Sequence, residues 1–90
     1  MDNQTIKWDA EIEKKFHLMI SKIPLFHRQM AERVVKVAAE ENARQRNSSL
    51  VQEEDVVLAF LSDVPKPFYS MMIKLFEVVG FNYKQYQNRT

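Results

Sequence analysis

The chain has no cysteine and only one glycine, Gly80, among its 90 residues. Without cysteine there is no disulfide, and no zinc or iron–sulfur cluster held by cysteines of the chain itself. A single glycine excludes glycine-rich phosphate loops and argues against tight β-hairpins, whose turns call for positive φ. Neither sign of charge dominates. Thirteen basic residues against twelve acidic ones leave a net charge of +1, so there is no overall polycation for nucleic acid or anionic lipid. No apolar run reaches the ~20 residues of a membrane-spanning helix. The opening MDNQTIKWDAEIEKK lacks the features of a signal peptide. A cytoplasmic location without membrane attachment is the expectation.

Helical periodicity is what the sequence does have. The longest pattern runs from Ile23 to Arg46, and the shorter elements are expected to pack against it. Phe26, Met30, Val34 and Val37 recur at helical spacing, with Ala31, Val35, Ala38 and Ala39 beside them, which predicts a wide apolar face. Arg28, Glu32, Lys36, Glu40 and Arg44 follow every fourth residue as a ladder of alternating charge; such neighbours contribute roughly 0.2–0.5 kcal/mol per pair. Pro24 suits the first turn, and it pushes Ile23 out of helical dihedrals, so the chain turns sharply ahead of this helix.

Three shorter helices complete the reading. Trp8, Ile12, Phe16, Met19, Ile20 and Ile23 form a stripe that begins after Asp9, a residue suited to an N-cap. Asn47, Ser48 and Ser49 end the long helix, and Leu50 and Val51 return to the core. Glu53, Glu54 and Asp55 open a third helix with acids favourable to its dipole, although Gln52 is a weak cap. Pro65 and Pro67 stop it. Phe68, Met71, Met72, Leu75, Phe76 and Val79 then make a fourth stripe, closed by Gly80 as a left-handed cap with Phe81 folding back onto Phe76. The expected fold is all-α: one domain over 1–90 with helices at about 9–22, 25–46, 53–63 and 67–79 and no sheet. Residues 1–7 are expected to fray and 82–90 to form a tail.

No catalytic constellation is visible. His17 and His27 lie ten residues apart on different helices, no His-x-x-x-His pair shares a face, and no nucleophile–base pair follows from spacing. The chain is therefore expected to be neither an enzyme nor a holder of a metal or cofactor. Trp8 is expected in the core. Phe26 is expected at the elbow between the first two helices, against Trp8, Phe16 or Ile20, where truncation to alanine would cost about 3–5 kcal/mol. Were Phe26 exposed instead, Phe26 and Arg28 would mark a recognition point. Tyr69, Ile73 and Val78 give the fourth helix a second apolar face. With Tyr83 or Tyr86 beside it, that face is expected to bind another protein or a second copy of the chain.

Trp8, Ile23-Pro24-x-Phe26-x-Arg28, Arg33 and Ala39 together resemble a known family. It is the small helical module at the C-terminus of the B subunit of light-independent protochlorophyllide reductase, which also occurs as short standalone bacterial proteins. Val51-Gln52-Glu53-Glu54-Asp55 matches the family's Ile-Thr-x-Glu helix start less well, with Gln52 in place of threonine. The likeness covers about residues 8–60; the loop before the third helix is longer here, and the fourth helix lies outside the pattern. That reductase is an iron–sulfur enzyme related to nitrogenase, and this chain has no cysteine for such a cluster. The resemblance thus implies an accessory or regulatory module that binds another protein, such as a reductase-type complex. The competing reading is a histone-fold-like or AAA-lid-like helical module with weak nucleic-acid binding. Its only local basic cluster is Lys36, Arg44 and Arg46, and Glu53, Glu54 and Asp55 would repel phosphate.

Overall fold

A computed structural model describes residues 5–87. In chain order the elements are β1 (Lys7–Trp8), α1 (Ala10–Ser21), α2 (Leu25–Gln45), β2 (Leu50–Val51), α3 (Glu53–Asp63), a 3-10 turn (Lys66–Phe68), α4 (Tyr69–Val79) and α5 (Lys84–Gln87). Helices dominate, as the four stripes predict, but two features depart from the expected fold. A fifth short helix is present, and so is a two-stranded parallel sheet pairing Lys7 with Leu50 and Trp8 with Val51. The Lys7 amide donates to the Ser49 carbonyl and the Asp9 amide to the Val51 carbonyl, each at 3.0 Å. Scarcity of glycine argues against tight hairpins; a parallel pair needs none, because its two strands are joined by a long crossover, here α1 and α2.

The elbow between α1 and α2 is built by Arg28. Its Nε and Nη2 donate to the Ile23 carbonyl at 3.2 and 3.0 Å, and Nη2 also reaches the Ser21 carbonyl at 3.0 Å. Carbonyls at a helix C-terminus lack intrahelical partners, and a guanidinium fork satisfies them while complementing the dipole. Pro24 stands at the N-cap of α2, one residue ahead of the first turn for which the sequence suits it. Asp9 stands at the N-cap of α1 but makes no side-chain capping bond.

The buried side of α2 is its small-residue side. Val35, Ala39 and Ala43 are fully buried, with Ala31 and Ala38 half-buried, and this row lies against α3, the neighbour α2 touches most extensively. Asn42 Nδ2 donates across that contact to the Asp55 carbonyl at 3.0 Å. At the C-terminus Asn47 takes a positive φ of 61° to leave the helix. Arg46 then clamps the start of α3: its Nε and Nη2 donate to Asp55 Oδ1 and Oδ2 at 2.8 and 2.7 Å. Asp55 is 1% exposed, and it also accepts the Gln52 backbone amide at 2.9 Å. Asp55 thus closes the first turn of α3 onto Gln52 as the N3 acid of a capping box. The hydrogen bond to Asp55 holds the Arg46 guanidinium above its ordinary range, against the opposing effect of desolvation.

An aromatic row ties the elements together. Trp8 lies 5.0 Å from Phe16, Phe16 6.2 Å from Phe60, and Phe60 5.7 Å from Phe76, ring centre to ring centre. Phe76 meets Phe81 edge-on at 5.9 Å and stacks on Tyr83 at 5.4 Å. Such tilted and offset pairs add to the area they bury. Trp8 Nε1 donates to Glu40 at 2.8 Å, which draws that member of the charge ladder to β1. Gly80 has a φ of 97°, and its amide and that of Phe81 both donate to the Phe76 carbonyl at 2.9 Å, the expected left-handed cap.

The chain after Gly80 is docked, which corrects the expected tail for residues 82–87. Tyr83 is buried and its hydroxyl donates to Glu77 at 2.7 Å. The Asn82 amide and the Tyr86 hydroxyl both donate to Glu53, at 3.0 and 3.2 Å. At the other end Lys7 is paired in the sheet and Ile6 packs against the core. The expected fraying concerns 1–4 otherwise, and those residues lie outside the described ones, as do 88–90.

Candidate docking surface

The outer side of α2 carries the larger apolar residues. Phe26 is 93% exposed, Leu25 78% and Met30 70%, and Val34, Val37 and, beyond the helix, Phe68 are exposed as well. The expectation that Phe26 fills the elbow against Trp8, Phe16 or Ile20 is therefore corrected. At 100° per residue Phe26, Met30 and Val37 lie within about 40° of one another and opposite Val35, so a helix that buries Val35 must present Phe26 to water. Alanines permit close approach to α3, and a row of Phe, Met and Val there would hold the helices apart.

Beside this row runs an apolar groove of about 220 Å³ between the first half of α2 and the α3–α4 connector. Met30, Ala31 and Val34 form one wall and Val64, Pro65 and Phe68 the other. His27 links the two sides, 5.8 Å from the Phe26 ring and 5.6 Å from the Phe68 ring. The exposed side chains of Phe26, Met30, Val34, Val37 and Phe68 present on the order of 500 Å² per chain, with the ~150–250 Å² of an aromatic side chain as the upper bound for each. The largest apolar patch of an ordinary monomer is about 300–600 Å².

The other residues expected to bind a partner are placed differently. Arg28 is occupied by the carbonyls that end α1. Tyr69 is half-buried and its hydroxyl donates to the Leu61 carbonyl at 3.0 Å. Ile73 packs against the core, Tyr83 is part of it, and Tyr86 is half-buried on α3. Val78 is 67% exposed but stands apart from any other large exposed apolar side chain of α4. Of the six residues expected at a partner site, the structure brings only Phe26 into a contiguous apolar surface. Met30, Val34, Val37, Phe68 and His27 join it there, whereas Leu25, although exposed, lies about 100° around the helix from Phe26. Their signal was in the sequence, since α2 has apolar residues on two opposite sides, and one side of a helix suffices for a core.

A second, polar groove is lined by Trp8, Glu13, His17, Lys36, Glu40 and Arg44 among others. Its acids and bases alternate, so it offers no single sign of charge to a ligand. Among the described residues no group of three His, Asp or Glu side chains is placed to hold a metal ion. No single described helix is long and apolar enough to cross a membrane. The chain matches no protein-family model, no curated protein and no solved structure.

Proposed function

We propose that this chain is a non-enzymatic protein-interaction module, of the accessory kind that the reductase resemblance implies, and that it docks through the outer side of α2. The observation that carries the reading is how the residues of the resemblance divide. Trp8, Ile23, Pro24, Arg28 and Ala39 all have work within the fold: ring packing and a bond to Glu40, burial, an N-cap, the α1 terminus, and the α2–α3 contact. Phe26 and Arg33 have none; Phe26 is almost wholly in water, and Arg33 is exposed with no hydrogen bond or ion pair to a described residue. A fold that spends neither residue on itself leaves both for a partner, and an exposed aromatic two turns from an arginine on one side of a helix has the composition of an interface. A reductase-type complex is the partner class the resemblance suggests.

The test is capture from native lysate with the wild type and with Phe26→Glu, after thermal melts show that both fold alike. A partner retained by the wild type and lost by the variant supports the reading. A captured set indifferent to Phe26→Glu overturns it, as does turnover of a small molecule abolished by replacing His17 or His27. The nucleic-acid alternative predicts salt-sensitive retention on heparin. Arg46, one of its three basic residues, is already committed to Asp55 and lies beside Glu54.

A further inference from the structure

We propose that the occupant of the outer side of α2 is a second copy of this chain, related by a two-fold axis. The inference rests on the docking reading above and narrows it to one partner. Three observations point to a copy rather than an unrelated chain.

The first is area. The exposed row offers on the order of 500 Å² of apolar surface per chain, and a standard stable interface takes about 800 Å² from each partner, somewhat more than half of it apolar. The row is of the size of the apolar share of one two-fold contact.

The second is shape. A two-fold interface must be self-complementary, so that a projection on one copy meets a recess on the other and the reverse holds as well. This surface carries both parts side by side. Phe26 projects with 93% of its surface free, and the apolar groove of about 220 Å³ opens next to it between Met30, Val34 and Phe68. Phe26 lies outside its own groove, which is left for the ring of the other copy.

The third is charge. Arg33 is the one charged residue on the strip of α2 that carries Phe26, Met30 and Val37, Lys36 being exposed about 80° away, and Asp63 is the one carboxylate among the side chains lining the groove. Neither has a hydrogen bond or ion pair with a described residue. Seating each Phe26 in the opposite groove brings the Arg33 side of each row toward the Asp63 side of the other, so that two free charges of opposite sign acquire partners twice over.

Sedimentation equilibrium across a wide concentration range, combined with a photo-reactive phenylalanine analogue at position 26, tests the pairing. The wild type is expected to dimerise. In a mixture of isotope-labelled and unlabelled chains the analogue is expected to cross-link to segment 63–71 of a differently labelled copy. Phe26→Glu should weaken dimerisation by about 30-fold or more, as for a central aromatic anchor. Arg33→Glu should weaken it and Asp63→Lys in the same chain should restore it. A strictly monomeric wild type overturns the proposal, and so does a dimer indifferent to both Phe26→Glu and Val37→Glu. These failures are distinguishable from failure of the docking reading. If the wild type is monomeric yet position 26 cross-links to a different protein, the copy is wrong and the docking surface stands. If it is monomeric and position 26 cross-links to nothing, both fall.

Discussion

The two sides of α2 are both apolar, yet they have opposite fates. Val35, Ala39 and Ala43 are buried to 1% or less, whereas Phe26, Met30 and Val37, with greater hydrophobic area, stand in water. By transfer free energy alone the larger side chains would be inside. What decides the matter is the distance at which α3 packs, since alanine brings helix axes close and lets Asn42 reach the Asp55 carbonyl. The inner side meets α3 and the outer side meets no other element with its largest side chain, Phe26. Large apolar residues kept where folding does not use them require a second explanation, and docking supplies one.

The comparison can be broken at either side. The largest effect is expected at the clamp that seats α3 on α2. Asp55→Asn removes the charge facing Arg46 and replaces one of the two oxygens that accept from Arg46 and from the Gln52 amide, and should cost about 2–3 kcal/mol in denaturant unfolding; Arg46 is partly exposed, so the loss falls below that of a wholly buried pair. Next comes Ala39→Leu, which overfills the inner side and should cost about 1–3 kcal/mol by the same measurement. Phe26→Ala, although it deletes a far larger side chain, should change the stability of the dilute monomer by no more than about 0.5 kcal/mol, as surface substitutions do. That reverses the 3–5 kcal/mol expected of a phenylalanine in the elbow. The smallest effect concerns Tyr83. Its hydrogen bond to Glu77 pushes its phenol above the ordinary value, so the folded state holds this proton more tightly than the unfolded chain does. The stability it contributes is present below about pH 10 and is lost as pH rises through the folded value. Melting curves taken into that alkaline range should fall more steeply for the wild type than for Tyr83→Phe.

Much of the helical frame was legible because punctuation marks it. Pro24, Asn47, Pro65, Pro67 and Gly80 bound the expected helices, and α3 spans the expected 53–63. The first turn expected for the fourth helix is instead 3-10 over Lys66–Phe68, and the α-helix begins at Tyr69. The parallel pair of β1 and β2 was not legible, because two residues are too few to show alternation. Nor was the docking of residues 82–87: Tyr83 and Tyr86 carry no periodicity, and their places are set by Phe76 and Glu53, which are distant in sequence or reached only after the Gly80 turn. At the candidate surface the sequence leaves Phe26 as either core or recognition, and its exposure removes the core reading. Arg28 was paired with it by adjacency in the motif, but the same elbow turns its guanidinium back onto α1. Tyr69, Ile73 and Tyr83 looked surplus to the fourth helix because its neighbours, the α3 terminus and the returning chain, cannot be counted from the helix alone.

The most direct test is the melting temperature of the wild type and of Phe26→Glu/Val37→Glu as a function of protein concentration. Association of folded chains raises the melting temperature with concentration, and a folding defect lowers it at every concentration. If the outer side of α2 serves docking of copies, the two proteins melt together at the lowest concentration, and only the wild type gains stability as concentration rises. A double variant that already melts well below the wild type in dilute solution, with neither protein responding to concentration, would show that the outer row belongs to the core and contradict the account.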